Sequence, residues 1–434
     1  MSSRSRSRSS DGKVFFWRIN QAGYEGAGAS AERLLLSVLE AFGFSRADTA
    51  TGARLLWANC FEPKLWASAG YCLINHFPRS VELSHKHRLC DTLMRRGCRF
   101  LPKSFVLPKE LPQWLEHAKG GAWIFKPGRA GGGRGVQVIQ CDSENQIHDA
   151  WQLLQRQKTP SVISQYARWQ RMMELITDHV LNHMTLHELE ARFVDNPLLV
   201  DGRKVDLRLY VLVTSFGESA EEMDRESSSG MKAYLFSEGL VRFCSEAFTM
   251  SPAKLTDPCV HLTNNEVNAR NLQGKTALDC GNWRLSELRA WLRQRKKSGE
   301  AELWSHLKAL AWEVLDAARP VIAQEVGRLP EGSRDRCFEL FGFDVLLDAD
   351  LRPWLCEVNS QPSLGVGGKV DLAVDRAMLS SLFQLVRSSA VPGLAEGGHF
   401  EELASTSSAD AKQPHCRAEE SAEKGLEWCC GIWI

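Results

Sequence analysis

The sequence has no run of 18 apolar residues, no excess charge of either sign and no repeated cysteine spacing. The first absence predicts that no helix of the chain spans a membrane. Because 53 Lys and Arg residues balance 53 Asp and Glu residues, we expect no nucleic-acid partner, only local charged surfaces. The 13 cysteines, odd in number and scattered, indicate buried or free thiols in a reducing compartment such as the cytoplasm.

The length of the chain, 434 residues, exceeds that of one typical hydrophobic core, so two or three packed subdomains are expected. The first ten residues, MSSRSRSRSS, contain no apolar segment and therefore do not predict a secretory signal. Their composition predicts a disordered basic tail over residues 1–12. From Ser388 onward Gly, Ser, Glu and Ala dominate, which predicts a second disordered tail over residues 388–434.

Between these tails, the pattern of apolar residues predicts an α+β protein. Alternating strand and helix signals near the amino end predict a small α/β domain, whereas later segments predict mostly antiparallel strands. An apolar stripe over 168–191 predicts one or two helices that pack against the core. The predicted boundaries are 13–78 for the N-terminal α/β domain, 79–200 for a central subdomain and 201–387 for a C-terminal subdomain.

The segment 341–363, FGFDVLLDADLRPWLCEVNSQPS, carries the clearest chemical signal. Two apolar runs flank the polar residues 348–350, a pattern that predicts a β-hairpin. With the turn centred at the end of that polar segment, Asp344 lies opposite Glu357, and Asn359 shares a face with Glu357. Like charges in this position repel, so we expect a cation between them, and oxygen ligands favour Mg²⁺ that also carries phosphates. A solvated hairpin face is the alternative.

A cluster of glycines follows a short strand predicted at 122–125. Lys126 ends this strand, and Arg134 and Gly135 close the glycine-rich segment that comes next. Glycines allow main-chain N–H groups to converge on phosphate, and the two basic side chains add positive charge. The spacing differs from that of a P-loop because no Lys-Ser or Lys-Thr pair follows the last glycine. The alternative is a flexible surface hairpin.

A strand with an unusual charged face is predicted over 204–213. Its alternation places Lys204, Asp206, Arg208 and Tyr210 on one side and apolar residues on the other. Such charges indicate a binding surface, and a strand with one solvated face is the alternative.

Two further elements are predicted on either side of this strand. A helix over 83–96 carries Lys86 among other basic and titratable residues, as expected where anions bind or at a solvated helix end. Downstream, the segments 232–237 and 241–244 are predicted to form a hairpin about Glu238-Gly239, with Arg242 on its second strand.

These elements together predict a nucleotide site built on antiparallel sheets, with phosphates between the glycine hairpin and Mg²⁺ on the carboxylate hairpin. The sequence shows no arranged Ser/His/Asp nucleophile and no Cys/His pair at metal-binding spacing. We therefore assign the chemistry to the nucleotide, with position and charge supplied by the protein.

Taken in order, several motifs resemble those of the tubulin–tyrosine ligase-like family of ATP-grasp enzymes, over residues 14 to about 386. Each motif alone is weak, but their succession is highly specific. The motifs are Asn75-His76-Phe77-Pro78 with Lys86, the segment 123–127 with Arg134-Gly135, and the segments 196–208, 239–243, 261–264 and 341–363.

The resemblance implies an ATP-grasp fold in which a central and a C-terminal domain hold ATP between their sheets. It implies a ligase that joins a free amino acid, such as glutamate or glycine, to a protein chain, typically a tubulin C-terminal tail on microtubules. In that reaction ATP phosphorylates a carboxylate, an amine attacks the acyl phosphate, and ADP and phosphate leave. Localisation at the cytoskeleton, or at a cilium or basal body, would follow.

The resemblance also implies roles for individual residues. Arg208 would face the transferring phosphoryl group and Arg242 would hold the carboxylate of the incoming amino acid. Asp344, Glu357 and Asn359 would bind Mg²⁺. The ATP site would be formed by Lys86, Lys126, Arg134, Gly135, Gln165, Tyr166, Lys204, Asp206, Thr263 and Asn264.

Four departures from the family pattern affect this interpretation. The insertion at 168–191 splits the adenine hinge, so Gln165-Tyr166 and the segment 193–195 remain alternatives for it. Glu266 stands where the family usually has Ser, and no general base is obvious. In the last helix, Asp375 replaces the lysine expected of glutamate-adding members, with Lys369 a possible substitute, and an acid there would repel a glutamate side chain.

Glutamate addition to tubulin is the first functional hypothesis, with glycine addition next because of Glu266 and Asp375, and tyrosine addition a further option. A catalytically silent microtubule-binding protein would have no need of opposed carboxylates. A small-molecule ATP-grasp ligase would not need a basic surface for an acidic tail. The candidate residues for that surface are Arg95, Arg96, Arg293, Arg295, Lys296 and Lys297.

Overall fold

The computed structural model describes residues 13–18, 27–47, 53–58, 61, 72–98, 100–127, 137–155, 160–167, 196–217, 230–254, 257–263, 281–330, 334–365, 367–387 and 399–403. Three sheets and nine α-helices are formed within these ranges. The strands are β1 (Lys13–Arg18), β2 (Phe44–Ala47), β3 (Leu55–Ala58), β4 (Leu73–Ile74), β5 (Ser104–Leu107), β6 (Ala122–Pro127), β7 (Gln137–Gln140), β8 (Ser161–Ala167), β9 (Leu199–Val200), β10 (Arg203–Phe216), β11 (Met231–Phe243), β12 (Trp283–Arg284), β13 (Glu339–Leu347), β14 (Pro353–Asn359) and β15 (Phe400–Glu402).

The described helices range from 4 to 28 residues in length. None of those described is both long and apolar enough to cross a membrane. The helices are α1 (Ala27–Ala41), α2 (Val81–Ser84), α3 (Lys86–Arg95), α4 (Leu111–Ala118), α5 (Glu144–Gln155), α6 (Pro258–His261), α7 (Leu285–Gln294), α8 (Glu300–Gly327) and α9 (Lys369–Arg387).

The two smaller sheets differ in strand direction. The first has the order β2-β1-β3-β4 and is parallel, as expected for an α/β unit with helix α1 as a crossover. The other has the order β5-β8-β6-β7 and is antiparallel, and α4 and α5 bury Trp114 and Leu154 against its Trp123. The predicted hairpin on either side of the glycine cluster is confirmed by the pairing of β6 with β7.

The large sheet contains seven strands, with β12-β11-β10-β13-β14 as its main path. Alternation along β10 sends Val205, Leu207 and Leu209 into a core shared with α7 and α8. The other face of β10 carries the charged residues and then Tyr210, which enters a second core with α1 and α9. The charged residues of β10 are therefore held on a strand that packs into a core on each face of the sheet, and this packing fixes their positions.

The hairpin predicted about Glu238-Gly239 is wrong, because β11 runs unbroken from Met231 to Phe243. Gly239 lies within the ladder opposite Leu209. A Cβ built on Gly239 would lie 2.7 Å from the main-chain oxygen of Arg208, so the glycine permits a close strand approach rather than a turn.

Three further expectations differ from the structure. The helix predicted over 83–96 is divided at His85, whose backbone is extended. Residues 196–200 were assigned to the central subdomain, but β9 pairs with β10 and Leu198 N bonds to Leu347 O in the large sheet. Residues 399–403, assigned to a disordered tail, are ordered, with β15 on the edge of β11.

Candidate active site

A cluster of two arginines and two aspartates crosses three strands of the large sheet. Asp206 lies opposite Arg242 in the β10–β11 ladder, and Arg208 lies opposite Asp344 in the β10–β13 ladder. Each arginine forms a bidentate ion pair with its aspartate. The nitrogen–oxygen distances are 2.6–3.0 Å for Arg208 and 2.6–2.7 Å for Arg242. Arg242 also reaches Asp344 Oδ2 at 3.1 Å, which joins the two pairs into one network.

This network is buried and balanced in charge. All four side chains belong to residues that are at most 9% exposed. Burial would raise the pKa of Asp344, but Arg208 and Arg242 outweigh it and hold that pKa well below its usual range. Burial would likewise lower the pKa of Arg242, and Asp206 and Asp344 raise it well above its ordinary value. Asp344 and Arg242 are therefore both charged, and removing a partner of either would leave a buried charge uncompensated.

The carboxylate hairpin has the predicted geometry at its key pair. Asp344 lies opposite Glu357, and Gly342 lies opposite Asn359, with a bulge just after the Asp344 pair. Glu357 forms an ion pair of 2.8 Å with Lys86, and Asn359 Nδ2 lies 3.5 Å from Glu357 Oε1. The helix break at His85 places Lys86 at the start of α3, from which its side chain reaches the hairpin.

The oxygen-bearing side chains of this hairpin fit a magnesium site by their chemistry. Asp344 and Glu357 supply carboxylates and Asn359 an amide oxygen, a small hard set of the kind that binds Mg²⁺ together with substrate phosphates. Among the described residues there is no cluster of three or more His, Cys, Asp or Glu side chains suited to a metal. The Mg²⁺ assignment stays a prediction that depends on phosphate and water for the remaining ligands.

A cleft separates the β5–β8 sheet from the large sheet beside this hairpin. Lys126, at the end of β6, donates across it to the main-chain oxygen of Cys356 on β14 at 3.1 Å. Its lining combines apolar residues such as Leu355 with small hydroxyl side chains and the two lysines. Apolar walls that also carry two lysines are features that a nucleotide site can use.

Lys204 and Thr263 lie at the Asp206 end of the network. Thr263 Oγ1 donates to Asp206 Oδ2 at 2.6 Å, and Lys204 Nζ donates to the main-chain oxygen of His261 at 3.0 Å. Burial, together with Lys204, lowers the pKa of His261 to about 4, so its imidazole is neutral at physiological pH. The structure thus brings Lys204, Asp206 and Thr263 together as the sequence predicted, whereas their role in ATP binding stays a prediction.

Several predicted residues cannot be placed. Arg134, Gly135, Asn264 and the alternative hinge segment 193–195 lie outside the described residues. Gln165 and Tyr166 belong to the backbone of β8, which pairs with β6, and their side chains lie outside the described part of the chain.

Sequence reasoning missed the contacts that surround Arg208. Tyr210 donates to Asp375 on α9, and Pro362 lies over Gly342 beside Arg208. The alternation along β10 did place Tyr210 on the charged face, but its partner lies 165 residues away, and no local pattern indicates it.

Two sheets face each other across a lysine-flanked cleft, and one of them carries opposed carboxylates. These are features of the ATP-grasp superfamily. Comparison with protein families gives the same class, since the model described as "Tubulin-tyrosine ligase family" matches residues 65–169 and 171–397. The chain belongs to the tubulin-tyrosine ligase family.

Its relatives carry names that describe glutamate addition. The chain is 31% identical over 372 residues to "Tubulin polyglutamylase TTLL5" of Homo sapiens, covering 82% of this chain and 25% of that protein. It is 30% identical over 327 residues to "Tubulin monoglutamylase TTLL4" of Mus musculus, covering 72% of this chain and 23% of the relative. With "Probable alpha-tubulin polyglutamylase Ttll1" of Tetrahymena thermophila the identity is 28% over 342 residues, and the coverage is 72% of this chain and 71% of the relative. The chain thus spans about a quarter of the length of the first two relatives.

Proposed function

We propose that the protein is an ATP-dependent ligase that joins glutamate to a carboxylate of a tubulin tail. The observation that carries the proposal is the opposition of Asp344 and Glu357, neutralised by Arg208, Arg242 and Lys86, beside the cleft that Glu357 and Lys86 line. Opposed carboxylates can bind a metal ion between them, and the surrounding cations can pair with the phosphates of a nucleotide.

Each charged residue has a role that its position supports. Mg²⁺ bound by Asp344, Glu357 and Asn359 would neutralise charge on the terminal phosphates of ATP. Arg208 shares Asp344 with that site and is placed to stabilise the transferring phosphoryl group, whereas Lys126 can hold phosphates from the facing sheet. Lys126 and Glu357 both line the cleft, which supports a phosphate position between them.

The proposed reaction has two steps. A carboxylate oxygen of the tail attacks the terminal phosphorus of ATP, and ADP leaves with the electrons of the broken P–O bond. The amine of the incoming amino acid then attacks the acyl carbon, and phosphate leaves with the former carboxylate oxygen. The proton of the amine passes to phosphate or water, because the described part of the site presents no obvious general base.

The test is Glu357→Gln, assayed with ATP, Mg²⁺, tubulin and labelled glutamate, glycine or tyrosine. Removing one ligand charge should lower turnover at least about 100-fold and weaken magnesium-dependent nucleotide binding in calorimetry. The control is Glu302→Gln, the same change at an exposed position on α8. Unchanged turnover in Glu357→Gln, or nucleotide binding that ignores Mg²⁺, would contradict the metal assignment.

Glycine is a second candidate for the incoming amino acid, on one observation. Asp375 and Asp371 lie on α9 near the two arginines, and their charges act on Arg208 and Arg242. The second carboxylate of glutamate would be repelled there, whereas glycine has none. The labelled amino acids in the same assay decide between the two.

A basic surface on α7 and after it supports an acidic protein tail as the acceptor, and with it a location at microtubules. Arg295 stacks on Trp291 at 3.9 Å and lies 3.8 Å from Asp201, and Lys296 is exposed beside it. The proposed contacts are individually weak and salt-dependent. Lys296→Glu with Lys297→Glu should therefore raise the KM for tubulin and leave the KM for ATP unchanged.

A further inference from the structure

Asp375 connects three elements around the active site. It is 1% exposed on α9, and its two carboxylate oxygens accept hydrogen bonds from different elements. Tyr210, two residues after Arg208 on β10, donates to Oδ1 at 2.5 Å, and Gly365 N donates to Oδ2 at 2.8 Å. Gly365 ends residues 360–365, which leave β14 directly after Asn359 and are called the strap below.

The strap passes next to the side chain of Arg208. Gly342 lies between Tyr210 and Asn359 in the sheet, so its missing side chain leaves a space at that point. A Cβ built on Gly342 would lie 2.8 Å from the Cβ of Pro362 and 3.2 Å from the Cδ of Arg208. The strap and the stem of Arg208 therefore share this space, and a displaced strap would give the guanidinium room to leave Asp344.

The strap is also fixed at its far end. A Cβ on Gly365 would lie 2.9 Å from the main-chain oxygen of Ser30, so α1 approaches the strap closely. The groups that act on the Asp375 carboxyl are the donating hydroxyl of Tyr210 and the positive charge of Arg208, both on β10, and the negative charge of Asp371 on its own helix. The strap has no ionisable side chain, and α1 contributes Leu34 and other apolar residues to the core beside α9.

We propose that Asp375 is a positioning residue that ties the strap to β10 and thereby holds Arg208 against Asp344. The tether itself is a feature of the fold, and its effect on turnover rests on the function proposed above for Arg208. Both partners of Asp375 are donors in this geometry, so the tether needs a carboxylate with both oxygens free to accept. Asparagine would keep the size but could accept only one of the two hydrogen bonds.

Hydrogen exchange tests the tether without reference to any activity. Wild type, Asp375→Asn, Tyr210→Phe and Ser380→Ala are compared by mass spectrometry at one pH. Ser380→Ala is the matched control, because Ser380 is buried on the same helix and its hydroxyl donates within α9, to Arg376 O. We expect exchange in the strap to accelerate about 10-fold or more in Asp375→Asn and to stay as in wild type in the control.

Unchanged strap exchange in Asp375→Asn would overturn the proposal. If that variant fails to fold, as judged by circular dichroism, Tyr210→Phe provides the decision, since it removes one hydroxyl and should accelerate strap exchange in the same direction. Strap exchange in Tyr210→Phe equal to that of wild type would then overturn it.

Turnover tests the effect on Arg208. Burial raises the pKa of Asp375 to about 7, so the wild-type kcat should rise with pH through about 7, as the carboxylate becomes ionised and the tether forms. In Asp375→Asn this increase of kcat with pH should be absent. The kcat should be about 10-fold lower, and the KM for ATP should stay within about 2-fold of wild type. If kcat of the variant rose with pH in the same way, the proposed effect of Asp375 on Arg208 would be overturned. A wild type without any ligase turnover would instead overturn the proposed function, and strap exchange would still decide the tether.

Discussion

Gly239 shows how one missing side chain sets the spacing of the strands that carry the site. It lies opposite Leu209, directly beside the backbone of Arg208. Gly239→Ala should destabilise the fold by about 1–3 kcal/mol, because a methyl group 2.7 Å from the oxygen of Arg208 forces β10 and β11 apart. Urea unfolding measures this. Gly327→Ala, the same change at the end of α8 with nothing within 4 Å, is the control and should be neutral or slightly stabilising.

Arg242 offers a second test at the scale of one residue, this time of its proposed contact with the incoming amino acid. Arg242→Lys keeps the positive charge beside Asp206 but loses the planar fork that can hold a carboxylate. The KM for the amino acid should rise about 10-fold or more while the KM for ATP stays near its wild-type value. Steady-state kinetics with each substrate varied in turn measures the two effects, and equal increases would remove the proposed role.

At the scale of elements, β15 protects an edge of the large sheet. It pairs with the first half of β11, and Glu401 accepts from Lys308 and Trp304 on α8, while Leu403 enters the large core. Ending the chain after Arg387 should therefore lower the free energy of unfolding by about 3 kcal/mol and promote aggregation. The truncation removes Leu403 from the core and leaves the edge of β11 unpaired. A chain that ends after Leu403 is the control. Equal unfolding free energies and equal solubility for the two truncations would contradict the role given to β15.

The same elements show which parts of the fold a sequence can predict. The hairpin with Asp344 and Glu357 was predictable because its apolar runs, polar turn and pairing all lie within one short segment. Gly239 was misassigned because a glycine is equally consistent with a turn and with a close strand approach, and only the partner strand decides. The contact of Lys86 with Glu357 and that of Tyr210 with Asp375 join residues far apart in sequence, so they depend on topology that no local pattern carries.

At the scale of the whole molecule, a buried network connects the small parallel sheet to the large one. Phe338 N bonds to Ile74 O at 2.9 Å, and Asn75 exchanges two hydrogen bonds with the backbone of Ala58. His76 lies at the centre, with Nδ1 2.9 Å from Glu339 Oε1 and Nε2 2.7 Å from Ala58 O. Both of these contacts are to acceptors, and an imidazolium can donate to both, whereas Asn75 Nδ2 lies 3.3 Å from the same Nε2.

This network makes the stability of the protein depend on pH in a defined direction. Burial would lower the pKa of His76, but the Glu339 carboxylate outweighs it and raises that pKa. Between the ordinary histidine value of about 6.5 and the raised one, the folded chain binds more protons than the unfolded chain. The contribution of His76 is therefore complete below about pH 6.5 and is lost as the pH rises through the raised pKa.

Urea unfolding between pH 6.5 and 9 tests this dependence in wild type and His76→Gln. Wild type should lose on the order of 1 kcal/mol across the range and the variant much less. Asp375 also makes the free energy of unfolding fall as the pH rises, but between about pH 4 and its raised pKa of about 7. Both chains are therefore compared in an Asp375→Asn background. His261 makes the free energy of unfolding rise with pH, and only below about pH 6.5, because its pKa is lowered to about 4. Equal slopes with and without His76 would show that the link between the two sheets does not depend on a charged imidazole.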